Sequence, residues 1–141
     1  MHPRNKPILL IEKDITDTNN IRSALEKMEV KSPFIHTNNS EEALTYLKDQ
    51  SNAKPWLILF GLDSQSKDSL NHLKIIKTDD NLKNIPVVII AESNHDQRIV
   101  ISFELGAAGY IVKPQESSGI TETIGTIMNY WNLSELPPSR V

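Results

Sequence analysis

Short apolar runs recur along the chain between polar stretches and predict the strands of a sheet. Three of them are uninterrupted and bounded by Pro, Gly or charged residues, and they lie at residues 8–11, 56–60 and 87–90. Continuous runs of this kind are typical of strands that are buried on both faces. Two weaker candidates lie at residues 33–36 and 109–112. Together these runs predict the five strands of one sheet.

The segments between the strands carry apolar residues at helical spacing, which gives a helix one face to bury. The stripes are formed by Ile21, Ala24, Leu25 and Met28, by Leu70, Leu73 and Ile76, and by Ile120, Ile124, Ile127, Met128 and Trp131. Asn39, with Glu42 three residues later, resembles a capping box at the start of a further helix. Gly106 predicts the end of a helix that begins near Asp96.

Strand and helix alternate along the whole chain, which predicts an α/β fold. Parallel strands need long crossover connections, usually helices, and such sheets carry helices on both faces. We expect a flavodoxin-like, doubly wound sheet of five parallel strands in the order 2-1-3-4-5. A functional site in this architecture lies at the carboxyl ends of the strands, here strands 1, 3 and 4.

Length and composition narrow the class of protein. The 141 residues suffice for one domain, expected at residues 1–132, with a loose C-terminal tail at 133–141. A net charge of -3 gives no basic surplus for nucleic-acid binding, and no apolar run is long enough for a signal peptide or a membrane span. Without cysteine, thiolate metal sites and disulfides are excluded, and we expect a cytoplasmic protein. The four histidines are scattered singly, which is not the spacing of a metal site.

Four stretches resemble the receiver domain of two-component response regulators, the CheY-like family. These stretches are residues 8–12, 57–60, 85–90 and 103–114. In that family, strand 1 ends in two acidic residues that hold Mg²⁺, and strand 3 ends in the aspartate that accepts the phosphoryl group. Strand 4 ends in Thr or Ser, and strand 5 in Lys-Pro. The resemblance places these functions on Glu12 with Lys13, on Gly61, on Ala91, and on Lys113 with Pro114.

The departures from the family pattern each remove one requirement of phosphotransfer. Gly61 offers no carboxylate to become an acyl phosphate. Lys13 places an ammonium where Mg²⁺ needs an oxygen ligand. Ala91 has no hydroxyl to bond a phosphoryl group. We therefore interpret the chain as a degenerate pseudo-receiver of the phosphorelay type: not an enzyme, without metal or cofactor, and with Lys113-Pro114 joined by the cis bond that the resemblance implies.

The remaining charges leave alternatives open. The carboxylates of Glu12, Asp14 and Asp63 should lie together at one end of the sheet, near the ammonium groups of Lys13 and Lys113. The first interpretation of this cluster is that these groups form ion pairs that only stabilise the fold. The first alternative is a phosphorylatable single-domain response regulator that uses Asp63 or Asp14 with Mg²⁺. The second is a flavodoxin-like carrier of flavin, although the Ser and Thr residues near the strand ends lack the density of a phosphate loop.

Helix 4 carries more apolar residues than one buried face requires. At about 100° per residue, one apolar patch is formed by Ile99, Val100 and Phe103, and a second by Ile101 and Leu105. The resemblance places Ile99 and Phe103 beside Tyr110, on the surface that receiver domains use for dimers and partners. We therefore expect a stand-alone module, with no effector domain, that binds a signalling protein or forms a homodimer through helix 4, strand 5 and helix 5. The alternative is that neighbouring side chains cover these residues.

Overall fold

The computed structural model describes residues 6–62, 68–92, 96–114, 116 and 119–133. Its elements in chain order are β1 (Ile8–Ile11), α1 (Ile15–Lys27), β2 (Phe34–Thr37), α2 (Ser40–Lys48), β3 (Leu57–Leu62), α3 (Asp68–Thr78), β4 (Val87–Ala91), α4 (Asp96–Glu104), β5 (Gly109–Val112) and α5 (Gly119–Leu133). None of these helices combines the length and the apolar character needed to cross a membrane.

The strands form one parallel sheet in the order β2-β1-β3-β4-β5, which confirms the expected topology. Every residue of β1 and β4 is buried, and so is every residue of β3 except Gly61. β3 continues past the expected end at residue 60, because Gly61 and Leu62 still pair with Ile90 and Ala91 of β4. Glycine normally weakens a strand, so the sequence predicted that this strand ends at Phe60, just before Gly61.

Two hydrophobic clusters, one on each face of the sheet, form the core. Successive side chains of β3 alternate between them, with Phe60 in one cluster and Leu59 in the other. Residues of α2 and α3 cover the first face, and residues of α1 and α5 cover the second, where these two helices pack against each other. The predicted stripes are confirmed, because one residue from each, Ile21, Leu73 and Ile124, is fully buried.

Both predicted helix boundaries are confirmed. Asn39 caps α2, since its side chain accepts a hydrogen bond of 2.9 Å from the N–H of Glu42. The carboxylate of Glu42 reaches back to the N–H of Asn38 at 3.2 Å. Gly106 follows the end of α4 with a φ of +106°, a left-handed conformation that glycine adopts without steric cost.

α4 differs from the other helices in what it buries. Ser102 is fully buried, and its hydroxyl has no hydrogen-bond partner among the described residues. Val100, Ile101 and Phe103 are instead exposed by 53%, 39% and 49%. An unpaired buried hydroxyl costs about 1–3 kcal/mol in proteins, so the hydroxyl of Ser102 does not stabilise the packing of α4 on the sheet. The described side chains of this helix are therefore more apolar towards solvent than towards the core.

Candidate functional site

The strand ends predicted to form the site meet at the carboxyl edge of the sheet. The register pairs Ile11 with Phe60, Leu62 with Ala91, and Ala91 with Val112. The residues just beyond these pairs are therefore neighbours across the sheet. The N–H of Lys113 extends the ladder by one bond, because it donates to the carbonyl of Ala91 at 2.7 Å.

An ion-paired triad of Glu12, Asp17 and Lys113 occupies this edge. Nζ of Lys113 lies 2.8 Å from Oε1 of Glu12 and 2.9 Å from Oδ2 of Asp17. The side chains of Glu12 and Lys113 are only 5% and 13% exposed. Besides this ion pair, Oε1 of Glu12 has no hydrogen-bond partner among the described residues. The buried carboxylate therefore depends on Lys113 for its counter-charge.

The charges of the triad set the protonation of its lysine. Burial by itself would lower the pKa of Lys113, because it disfavours the charged form. The hydrogen bonds and the negative charges of Glu12 and Asp17 outweigh burial, and the pKa of Lys113 lies above its ordinary value of 10.5. Lys113 therefore stays an ammonium at neutral pH.

Backbone contacts fix Glu12 and the start of α1. Oε2 of Glu12 accepts a hydrogen bond of 3.1 Å from the N–H of Asp14. Asp14 in turn caps α1, because its Oδ1 accepts from the N–H of Asp17 at 2.9 Å. The carbonyl oxygen of Glu12 lies 2.7 Å from Nε2 of His36, which must be the protonated ring nitrogen, since a carbonyl can only accept. The triad is thus joined to β2 as well as to α1.

At Gly61, where the family resemblance leads us to expect the phosphoacceptor, there is no room for a side chain. A Cβ added at Gly61 would lie 2.5 Å from the carbonyl oxygen of Ile11 and 3.1 Å from Oε1 of Glu12. The first contact is with backbone of the neighbouring strand, which cannot rotate away. Gly61 is therefore required by the packing of β3 against β1, in addition to lacking a carboxylate.

The residues that the structure describes at this edge do not fit a Mg²⁺ ion. One oxygen of Glu12 is paired with an ammonium, and the other accepts a backbone N–H. Gly61 supplies no ligand, and no group of three acidic, His or Cys side chains within the described residues could hold a metal. Mg²⁺ needs several oxygen ligands in near-octahedral geometry. Lys113 supplies the positive charge that the buried carboxylate of Glu12 needs.

The structure brings together only some of the residues that the sequence singled out. Glu12, Gly61, Ala91 and Lys113 meet at the carboxyl edge. The side chain of Lys13 is exposed, and Asp63 lies outside the described residues.

The expectation of a cis bond before Pro114 is wrong, because no peptide bond between described residues is cis. A trans bond is favoured by about 0.5–1 kcal/mol before proline, and Lys113 reaches both carboxylates from it.

Asp17 is the site residue that the sequence reasoning missed. Its contact with Lys113 joins residues 96 positions apart, which no local pattern reveals. The available signal was its place in the first turn of a helix that starts at the carboxyl edge. A carboxylate is favourable there, because the N-terminus of a helix carries partial positive charge.

The expected partner surface is partly exposed. Phe103 is 49% exposed, while Ile99 and Tyr110 are of intermediate burial. Tyr110 packs against a core cluster, and burial raises the pKa of its hydroxyl, partly opposed by the charge of Arg98. The exposed apolar residues on the neighbouring elements are Val112 of β5, at 42%, and Tyr130 of α5, at 62%.

The known proteins that this chain resembles are response regulators. No protein-family model matches the chain. Response regulator Rcp1 of Synechocystis sp. is 27% identical over 130 residues, which cover 89% of this chain and 88% of Rcp1. The crystal structure of the Mn(2+)-bound form of Rcp1 superposes with a TM-score of 0.87, covering 94% of this chain and 99% of that chain.

A second solved structure agrees at higher identity. The phosphorylated cyanobacterial phytochrome response regulator RcpA is 31% identical, with a TM-score of 0.87. The match covers 95% of this chain and 99% of that chain. The chain therefore belongs to the receiver-domain family of two-component response regulators.

Proposed function

We propose that this receiver domain works without phosphorylation and acts by binding a protein partner. The observation that carries the proposal is the triad at the carboxyl edge. Lys113 is already bound by Glu12 and Asp17, and Gly61 has neither a carboxylate nor the space for one. The two solved relatives are a Mn(2+)-bound form of Rcp1 and a phosphorylated RcpA. We propose that this chain departs from both.

Neither alternative gains support from the described contacts. The carboxylate of Asp14 is engaged as the cap of α1, and Asp63 lies outside the described residues. Lys113, the lysine at the carboxyl edge, is already neutralised by the carboxylates of Glu12 and Asp17. The flavin carrier was suggested by the shared fold alone, which does not specify a function.

The apolar surface of α4, β5 and α5 is the proposed partner-binding face. It is defined here by four exposed side chains, Val100, Phe103, Val112 and Tyr130. Single exposed apolar residues are common on proteins, whereas contiguous ones mark an interaction surface, and the proposal is that these four form one patch. The burial of Ser102 supports it, because α4 buries a serine while Val100 and Phe103 are exposed.

Replacing Phe103 with glutamate tests the partner-binding face. Because the side chain is half exposed, the stability to unfolding should change by no more than about 0.5 kcal/mol. Binding should be lost, since a charge in the centre of an apolar interface is left without a counter-charge. The measurement is capture of host proteins by the immobilised domain, together with sedimentation of the isolated domain to detect self-association.

Two variants serve as controls for this experiment. Ile75→Glu places the same charge on an apolar residue of α3, 38% exposed and outside this face, and should retain binding. Leu105→Glu should lower the melting temperature far more than Phe103→Glu, because Leu105 packs against the core. Equal binding by the Phe103 and Ile75 variants would contradict the proposal that this face binds the partner.

A further inference from the structure

We infer that Asp17 replaces the missing carboxylate of β3 as a partner of Lys113, and that this ion pair holds the end of β5 in one position. The inference rests on the proposed function, because β5 contributes to the partner-binding face. It makes Asp17 a positioning residue, which acts on that face through Lys113. The arrangement requires no phosphoryl group and no metal.

The ammonium of Lys113 needs negatively charged partners. A buried ammonium needs carboxylates nearby, and β3 can supply none, because a side chain at Gly61 would collide with the backbone of Ile11. Glu12 supplies one carboxylate from the end of β1, at 2.8 Å. Asp17 supplies the second from α1, at 2.9 Å, and this side chain is only 19% exposed.

Asp17 is held firmly in the first turn of α1. Its N–H is bound by the capping carboxylate of Asp14 at 2.9 Å, so its backbone is fixed at the start of α1. α1 packs against α5 and buries Ile21 and Leu25 in the core. Lys113 is therefore tied to a rigid element of the fold rather than to a loop.

The position of Lys113 affects the partner-binding face through the end of β5. Lys113 directly follows Val112, the exposed apolar residue of β5, and its N–H donates to the carbonyl of Ala91 at 2.7 Å. The side chain of Lys113 is held by Asp17, and its backbone N–H is held by Ala91. These two contacts together restrict the path of the chain at the end of β5. Losing the contact with Asp17 should let the end of β5 fray, and should weaken the backbone bond to Ala91.

The test compares Asp17→Ala and Asp17→Asn with the wild type by amide NMR and hydrogen exchange. We expect the amide resonances of residues 109–113 to shift in both variants, and the N–H of Lys113 to exchange at least about tenfold faster, as local opening becomes easier. Asp17→Glu, which restores the charge, should return the exchange rate towards that of the wild type. Asp80→Asn is the matched control, because it breaks the exposed pair with Lys83, and it should leave β5 unchanged.

Unchanged resonances and exchange in β5 for Asp17→Asn would overturn the inference, and so would a failure of Asp17→Glu to restore what Asp17→Asn loses. This result is separable from the test of the proposed function. If β5 does not respond but Phe103→Glu still loses the partner, the positioning role fails and the binding function stands. If β5 responds and Phe103→Glu still binds, the positioning role stands and the binding face fails.

Discussion

Replacing Lys113 with methionine should lower the free energy of unfolding by about 3–5 kcal/mol, the range for removing one member of a buried ion pair. Methionine keeps most of the apolar stem and removes the ammonium. Glu12, which is 5% exposed, is then left as a buried carboxylate without a counter-charge. Urea denaturation of the variant and the wild type, each followed by circular dichroism, measures the difference.

A second lysine and a double variant make this result specific. Lys83→Met breaks the exposed pair with Asp80 and should change stability by less than about 1 kcal/mol. Glu12→Gln combined with Lys113→Met removes the two most buried charges of the triad and should recover much of the loss. If the Lys113 and Lys83 variants lose equal stability, the triad contributes no more than a surface ion pair.

The dependence of this stabilisation on pH follows from the raised pKa of Lys113. A group whose pKa is raised by folding stabilises the fold fully below its unfolded pKa, and loses that contribution as the pH rises through its folded pKa. For Lys113 the stabilisation is therefore present below pH 10.5 and lost above it. The difference in stability between wild type and Lys113→Met should narrow in this alkaline range.

Introducing a side chain at Gly61 should also destabilise the domain, by about 1–3 kcal/mol for overpacking at a buried contact. A Cβ at this position would lie 2.5 Å from the carbonyl oxygen of Ile11, so β1 or β3 must move. Gly61→Asp should consequently fail to restore phosphorylation by acetyl phosphate. Thermal melting gives the stability, and intact mass gives the phosphorylation.

A second glycine provides a control of opposite sign. Gly125 lies within α5, and an added Cβ there meets no atom within 4 Å. Gly125→Ala should therefore stabilise the domain by about 0.5–1 kcal/mol, because alanine favours a helix over glycine. Gly61→Ala should destabilise it. A stabilised Gly61→Ala variant, or acyl phosphate on Gly61→Asp, would contradict the steric argument.

The fold was predictable because its three central strands, β1, β3 and β4, are buried almost throughout. β1 and the edge strand β5 also begin and end at the predicted residues, since a charged residue follows each of these runs. The end of β3 was not predictable, because Gly61 is held in the strand by its pairing with β4. The trans bond before Pro114 follows the local preference of the peptide, and the cis expectation came from the family resemblance alone.

The site was predictable as a location but not as a network. Glu12 and Lys113 were expected to meet, because the carboxyl ends of parallel strands share one edge of the sheet. The part of Asp17 depends on how α1 lies across that edge, which is a tertiary property. The apolar excess of α4 was visible from its spacing, and three of its apolar side chains are exposed.

The central claim is that this receiver domain needs no phosphoryl group, and its most direct test uses the wild-type protein. The domain is incubated with Mg²⁺ and either acetyl phosphate or beryllofluoride, and intact mass, amide spectra and partner capture are measured with and without treatment. The account predicts an unchanged mass, unchanged spectra and the same captured partner in every condition. A mass increase of one phosphoryl group that maps to Asp63 or Asp14, with a matching change in partner capture, would contradict it.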